Sequence, residues 1–339
     1  MQNLFDPAIL FFVFGVLAGA LKSNLEIPPA IAKFLSLYLL MALGLKGGFA
    51  LAHSGLSASV ALSLGAALLL AFIVPALGYQ WLKHRVSRFD AAAIAASYGS
   101  VSAVTFVTAM QYLENQAMTP GGHMAVALVI MESPAILMAV LLANTLRHAA
   151  QGSAAVVGHA PAGTAALLPF GQPSRGPALG KILHESFTDG AQLLLLGAML
   201  VGYLSGDAGK TVMAPFSIDL FKGMLSFFLL DMGLMVAKNF GSVRGQSPAL
   251  LAYAILGPLV HAAIALALGL LLQLPAGDAA LLMVLGASAS YIVVPAVLRY
   301  AIPEANPSLY LGLSLGVTFP LNILFGIPLY SMVARWALG

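Results

Sequence analysis

The chain of 339 residues contains no cysteine and little charge, since only 8% of its residues are Asp, Glu, Lys or Arg. The lack of cysteine excludes disulfides, thiolate metal sites and thiol nucleophiles. The lack of charge excludes an ordinary soluble domain, because such domains carry about 25% charged residues. The chain is instead 60% hydrophobic, with a mean hydropathy of +0.95. This composition predicts an integral membrane protein whose main partner is the lipid bilayer.

Motifs of common enzymes and of nucleic-acid-binding proteins are also missing. The sequence has no metalloprotease, nucleotide-binding, serine hydrolase or dinucleotide motif, and its seven histidines are scattered. The net charge of +3 comes without a long basic run, so nucleic acid is not an expected partner. We therefore expect a protein that is not an enzyme and has no catalytic residues or bound cofactor.

Apolar windows of roughly 20 residues, enough to cross about 30 Å of hydrocarbon, recur ten times along the chain. The first is preceded by no basic residue and followed by no cleavage site, so we interpret it as a retained helix. The windows are residues 7–21, 30–51, 57–82, 90–113, 121–146, 186–205, 215–237, 248–274, 279–301 and 306–338.

The distribution of Lys and Arg predicts the orientation of these windows. If the N-terminus lies outside, most of the 15 basic residues fall on the cytoplasmic side. Only Lys46, Lys210, Lys222 and Arg335 then lie outside. The positive-inside rule therefore predicts a multi-pass protein of a bacterial inner membrane with both termini outside the cytoplasm.

Residues 149–181 differ from the rest in being rich in Ala, Gly, Ser and Pro, as in "QGSAAVVGHAPAG". We interpret them as a flexible cytoplasmic loop. The loop divides the windows into a first set of five within residues 1–148 and a second set of five within residues 182–339.

The two sets repeat one another in sequence. "DAAAIAASYGSVSAV" in the fourth window matches "DAALLMVLGASASYI" in the ninth, "LMALGLK" in the second matches "LLDMGLM" in the seventh, and "ESPAI" matches "TFPLN". A repeat with an odd number of crossings enters the membrane from the opposite side in its second copy. Inverted repeats of this kind are typical of secondary transporters, whose sites form near the midplane where helices break.

The matched segments "SYGSVSAVT" and "GASASYIVVP" are the predicted breaks in the fourth and ninth helices. Their small residues permit close crossing of two chains, and their hydroxyls are potential ligands. Pro295 also lacks the N–H that a continuous helix requires. The alternative, that the small residues only pack two ordinary helices, stays open for each segment.

Four stretches resemble the sodium-dependent bicarbonate transporters first known from cyanobacteria. They are "AIPEANPSLYLG", "YGSVSAVT", "MESPAILMAVLLAN" and "ILHESF". The resemblance implies an all-α fold of ten transmembrane helices, built as two inverted five-helix repeats with broken, crossing helices 4 and 9. It also implies Na+ as the coupling ion, a homotrimer, and a PII-like cytoplasmic regulator.

The chain departs from the family pattern at both breaks. Ala289 and Tyr291 stand where the cyanobacterial proteins carry a serine and an aspartate, and Ala103 and Val104 stand where a glycine and a serine are expected. These departures remove oxygen ligands of the kind that Na+ prefers. They favour an alternative in which transport is sodium-independent or proton-coupled and the substrate is another small carboxylate.

Among the ionisable residues within the apolar windows, where such residues are costly and usually functional, Glu132, Lys46 and Asp231 are the candidates for a role in transport. Glu132 aligns with a family aspartate and lies near Pro134. Lys46 and Asp231 flank the matched Gly44 and Gly233, so we expect them to form a charge pair in which the ammonium replaces a sodium ion. The simpler alternative is that Lys46 extends outward to water.

Together these observations predict a secondary active transporter of a small anion, with sodium-coupled bicarbonate symport as the leading function. A channel would need a continuous polar pore, which the polar residues do not form. The predicted substrate and ion site comprises Gly99, Ser100, Ser102, Thr105, Glu132, Ser288, Ser290 and Thr318. Within this set, Na+ is expected at Ser102, Thr105, Ser288 and Ser290.

Overall fold

The computed structural model describes residues 6–55, 57–157, 190–243 and 245–339, and within them the regular structure is helical throughout. The helices are α1 Pro7–Ala20, α2 Pro29–Ser54, α3 Ala58–Leu82, α4 Arg88–Gly99, α5 Ala103–Asn115, α6 Met124–Val157, α7 Gly190–Ala214, α8 Phe221–Asn239, α9 Pro248–Leu271, α10 Ala276–Ala287, α11 Val293–Ala301 and α12 Pro307–Leu338. A π-helical turn, Pro215–Asp219, joins α7 to α8, and α12 contains two more, Ser314–Thr318 and Asn322–Gly326.

Seven helical runs in the described residues are long and apolar enough to cross a membrane. One of these runs, Arg88–Asn115, contains both α4 and α5, and another, Gly190–Ser242, contains both α7 and α8. The apolar helices α1 and α10 are shorter. The prediction of an all-helical multi-pass membrane protein is confirmed, whereas the ten-helix inverted repeat stays a prediction.

Several helices begin where the sequence provides a capping side chain. The hydroxyls of Ser57, Ser87 and Ser247 accept hydrogen bonds from amides in the first turns of α3, α4 and α9. The carboxylate of Asp6 does the same for α1. These caps satisfy amides that have no partner inside the helix, so the short polar connections between apolar windows also define the helix starts.

The two predicted breaks are present. Helix α4 ends at Gly99 and α5 begins at Ala103, while α10 ends at Ala287 and α11 begins at Val293. Both breaks fall within the segments predicted from the sequence, and residues 99–102 and 286–291 are buried, whereas Ile292 is 54% exposed. Each broken segment thus consists of two half-helices separated by a short non-helical stretch.

The helices pack in two groups. In the first, here called the four-helix group, α2 packs along α7 and α1 packs along α8. These pairs are so close that a side chain on Gly44 would overlap the carbonyl oxygen of Leu195, and one on Gly233 would overlap that of Phe12. The second, here called the crossing group, consists of α3–α6 and α9–α12 and includes the two broken segments.

The segment predicted to be a flexible loop is only partly described. Helix α6 continues to Val157, so the first residues of that segment, 149–157, are helical. Residues 158–181 of the predicted loop lie outside the described residues, as do residues 186–189 at the start of the sixth predicted window.

Candidate functional site

The two breaks contact each other through backbone groups. The amide of Ser290 donates a hydrogen bond to the carbonyl oxygen of Ser97 at 2.7 Å, and the amide of Ser102 donates to Ser288 Oγ at 3.2 Å. Inside a membrane, irregular backbone persists only where protein or enclosed water supplies its hydrogen bonds. Here each broken segment supplies bonds to the other, so the crossing stabilises both breaks.

Each second half-helix begins next to a serine hydroxyl. Ser102 Oγ accepts from the amide of Thr105 at 3.2 Å, and Ser290 Oγ accepts from the amide of Val294 at 3.4 Å. Ser102 and Ser290 are matched in the sequence repeat, so each break places a matched serine hydroxyl against an amide of its second half-helix. The N-termini of α5 and α11, which carry partial positive charge, therefore begin at the crossing.

Helix α12 supports the crossing from a second direction. Thr318 Oγ1 lies 2.6 Å from the hydroxyl of Tyr98 in α4 and donates to the carbonyl oxygen of Ala254 at 2.7 Å. Asn322 Nδ2 donates to the carbonyl oxygen of Ala287, the last residue of α10, at 2.8 Å. Both side chains belong to π-helical turns, a local geometry that is frequent at functional sites.

A cavity of about 80 Å³ lies between the crossing and the four-helix group. This is room for a small ion with a few waters. Helices α2 and α7 form one wall, and the breaks together with α6 form the other. The polar side chains that line it are Ser36, Ser102, Glu132, Gln192, Ser290 and Tyr291.

Glu132 places a carboxyl group in this cavity. Among the described residues that line the cavity it is the one ionisable carboxylate, and none of them is Lys, Arg or His. Gln192 Nε2 in α7 donates a hydrogen bond to Glu132 Oε2 in α6, so this contact joins the two helix groups across the cavity. The cavity thus combines hydroxyls, one carboxylate and two half-helix N-termini.

Three of the eight predicted site residues line the cavity, namely Ser102, Glu132 and Ser290. Ser288 is close in sequence to the lining residue Ser290, but its Oγ donates a hydrogen bond to the carbonyl oxygen of Leu285, near the end of α10, at 2.9 Å. Thr105 contributes its amide to the cap of α5. Thr318 bonds Tyr98 and Ala254 and is absent from the cavity lining.

The remaining two predicted residues also do not line the cavity. A side chain on Gly99 would lie 2.7 Å from the ring of Pro75 in α3, so the position permits close packing of α4 on α3. Ser100 is buried, and its hydroxyl has no hydrogen-bond partner among the described residues. Their assignment to substrate or ion binding stays a prediction.

The predicted charge pair between Lys46 and Asp231 is wrong, because Lys46 has a different partner. Lys46 Nζ lies 2.9 Å from Glu114 Oε2 at the end of α5 and 4.4 Å from the ring centroid of Phe221. Asp231 is buried, and its Oδ2 has no hydrogen-bond partner among the described residues. The physical reason is position, because α5 ends next to α2 and presents its own carboxylate to Lys46.

Three of the six polar side chains that line the cavity, Ser36, Gln192 and Tyr291, are outside the set predicted from the sequence. Gln192 stands alone in the apolar run "GAQLLLLGA", and an intramembrane amide of this kind is a detectable signal. Tyr291 was noted only as a departure from the family pattern. Its hydroxyl lies 3.6 Å from Met232 Sδ of α8, and its ring packs edge-on against Phe319 at 5.2 Å between centroids.

One family model matches the chain over almost its whole length. The family model described as the Na+-dependent bicarbonate transporter superfamily matches residues 7–335 of the chain. A search among curated proteins gave no significant match. The family match covers nearly the whole chain, including both breaks and every residue that lines the cavity. The chain therefore belongs to the Na+-dependent bicarbonate transporter superfamily and is a membrane transporter, not an enzyme.

Proposed function

We propose that this transporter carries bicarbonate together with Na+ by symport, using the cavity at the helix crossing as its binding site. The observation that carries this proposal is the meeting of two broken helices at one cavity. Ser102 and Ser290, one from each break, both line it beside Glu132. Sites of this construction bind an anion at half-helix N-termini and a cation at freed oxygens.

The charge of the cavity favours a co-transported cation. Two like charges about 4 Å apart repel by about 4 kcal/mol at an effective dielectric constant of about 20. Bicarbonate in the cavity would meet such repulsion from an ionised Glu132. Bound Na+ would offset the repulsion, and its oxygen ligands would be the hydroxyls of Ser102 and Ser290 in the lining, with those of Thr105 and Ser288, which are near them in sequence.

An inverted repeat of five plus five crossings is part of the proposal. The repeat-matched residues Gly44 and Gly233 have equivalent surroundings, which supports it. If either glycine had a Cβ, that atom would contact three residues of the partner helix. The contacts are the carbonyl oxygen of a first residue, an atom of the residue three positions later, and the amide nitrogen of the residue four positions later. The neighbours are Leu195, Ala198 and Met199 for Gly44, and Phe12, Gly15 and Val16 for Gly233.

The mechanism we propose is movement of the crossing group relative to the four-helix group. The cavity lies between the two groups, so such a movement changes which side of the membrane has access to it. The Gln192–Glu132 hydrogen bond crosses the same boundary and would change during the movement. The proposal also includes both termini outside the cytoplasm, from the distribution of Lys and Arg, and a bacterial inner membrane, a homotrimer and a PII-like regulator, from the resemblance.

The decisive experiment is uptake of labelled bicarbonate by proteoliposomes that contain the purified chain. We expect uptake when a sodium gradient is imposed and little uptake when choline replaces sodium. Equal uptake in choline would refute sodium coupling. Uptake driven by a pH gradient alone, above that of protein-free liposomes, would instead support proton coupling. Counterflow of labelled substrate separates a carrier from a channel, because only a carrier exchanges solute by alternating access.

The sodium-independent alternative loses one of its supports. A Lys46 ammonium beside Asp231 was expected to replace a sodium ion, but Lys46 pairs with Glu114. The departures from the family pattern at both breaks remain, and two of them, Ala103 and Tyr291, line the cavity. The choline experiment distinguishes the two functions directly.

A further inference from the structure

A second cavity lies on the surface between α3 and α9, away from the crossing. It has a volume of about 410 Å³ and is mainly apolar. Val260 and Leu256 on its wall are 54% and 56% exposed, so the groove opens to whatever surrounds the helices. The residues that line it are Leu77, Gly78 and Trp81 of α3 and Ala252, Tyr253, Leu256, Gly257, Val260 and His261 of α9.

Two buried polar side chains line this groove. Tyr253 is 6% exposed and His261 is 2% exposed. The Tyr253 hydroxyl and His261 Nδ1 have no hydrogen-bond partner among the described residues. Polar atoms that are buried without a partner cost free energy, so a ligand with acceptor or donor oxygens at this depth would be stabilised there. Pure hydrocarbon does not satisfy these atoms.

One end of the groove carries positive charge. The guanidinium of Arg85 lies 3.7 Å from the ring centroid of Trp81, which itself lines the groove, and Arg85 also donates to the Trp81 carbonyl oxygen. Lys83 and Arg88 flank Arg85 in sequence. The nearest carboxylate in sequence, Asp90, already accepts hydrogen bonds from Ser87 Oγ and from the amide of Asn306.

We propose that the groove binds one anionic phospholipid. Its phosphate lies at Arg85 and Lys83, an acyl chain follows the apolar floor between α3 and α9, and its ester oxygens contact Tyr253 and His261. Basic residues next to a groove between membrane helices are the recognised pattern for anionic headgroups. The amphipathic ring of Trp81 stands between the charged and apolar parts, as aromatic side chains do at membrane interfaces.

The test is native mass spectrometry of the full chain, purified in detergent and titrated with phosphatidylglycerol or phosphatidylcholine. Wild-type protein is expected to retain one phosphatidylglycerol per chain and to retain phosphatidylcholine far less. Gly257→Leu places a side chain in the groove, where a Cβ meets only ordinary contacts of 3.4 Å or more with Tyr253. This variant is expected to lose the bound lipid.

The matched control is Gly65→Leu, since Gly65 is exposed on α3 with no atom within 4 Å of a Cβ, and it should bind as wild type does.

Arg85→Ala, which leaves the core intact, should bind phosphatidylglycerol about fivefold more weakly, in line with about 1 kcal/mol per basic residue near an anionic surface. Equal retention by wild type and Gly257→Leu, or equal retention of both lipids, would overturn the proposal. A change in oligomeric state with Gly257→Leu would overturn it too, because a second copy would then occupy the groove.

Discussion

Half-helices α5 and α11 occupy matched places in the sequence repeat, and each begins with a serine hydroxyl bonded to an amide of its first turn. Their other ends differ. Helix α5 ends beside Glu114, which pairs with Lys46 of the four-helix group. Helix α11 ends at Ala301, whose carbonyl oxygen accepts from Arg147 of the crossing group. The ion pair at α5 therefore joins the two groups, whereas the bond at α11 lies within one group.

The breaks themselves also differ. Residues 100–102 separate α4 from α5, while the longer stretch of residues 288–292, which includes Tyr291, separates α10 from α11. We expect the matched serines to share a function at the site and the differing ends to give the two half-helices separate mechanical roles. The following predictions separate these contributions.

The largest effect is expected when both matched serines are removed. Ser102→Ala combined with Ser290→Ala deletes one cavity hydroxyl from each break and should abolish sodium-driven bicarbonate uptake. The chain should still reach the membrane and fold, because each hydroxyl makes one amide cap worth about 1 kcal/mol. Ser63→Ala, at a buried serine of α3 outside the cavity lining, is the control and should transport normally. Wild-type uptake by the double variant would refute the site.

The second effect concerns stability at the end of α10. Asn322→Leu removes the donor to the Ala287 carbonyl oxygen and leaves that oxygen buried without its bond. The expected loss is about 1–3 kcal/mol of unfolding free energy, seen as a lower thermal midpoint in detergent. Ser331→Ala in the same helix is the control, since Ser331 Oγ bonds only its own helix at 2.7 and 3.1 Å. Equal midpoints for the two variants would contradict the supporting role of α12.

The third effect tests the ion pair at the end of α5. Lys46→Glu places two carboxylates together and should shift the balance between transport states, measured as a several-fold change in uptake rate. The combination with Glu114→Lys restores opposite charges and should recover most of the wild-type rate. A double variant no better than Lys46→Glu alone would show that the pair does not join the two groups. Coupling between such residues is what a double-mutant cycle measures.

The smallest effect is expected at the end of α11. Hydrogen bonds from the Arg147 guanidinium, at 2.8 Å to both oxygens, lower the pKa of the Glu304 carboxyl below its ordinary value. A carboxyl group whose pKa is lower in the folded state stabilises the protein at pH values above its ordinary pKa. This stabilisation is lost as the pH falls through the pKa of the folded state. Since Glu304 is 38% exposed, the contribution should be about 1 kcal/mol or less. Glu304→Gln should flatten the acid side of the stability profile, and an unchanged profile would contradict this.

Much of the fold was predictable from the sequence because lipid imposes simple rules on composition. Apolar windows identified membrane helices, and the glycine and serine segments identified both breaks to within a few residues. The repeat also indicated Ser102 and Ser290 as a pair, and both line the cavity. These features depend on residues that are close together in the chain, so local patterns were sufficient to find them.

Other features of the site were not predictable in this way. Helix rotation decides that Thr318 bonds Tyr98 and Ala254, outside the cavity lining, although its repeat partner Glu132 lines the cavity. Packing of α7 on α2 decides that Gln192 reaches Glu132. Both outcomes depend on how separate helices are turned relative to one another, which a single window does not encode.

By itself, then, the sequence determined that this chain lies in a membrane, that it is helical, and where two of its helices break. Those properties follow from hydropathy and backbone chemistry, which act residue by residue. Only the tertiary structure decided the partner of Lys46 and which hydroxyls face a common cavity. An ion pair depends on the distance between two side chains, and the distance between Lys46 and Glu114 depends on the packing of the end of α5 beside α2.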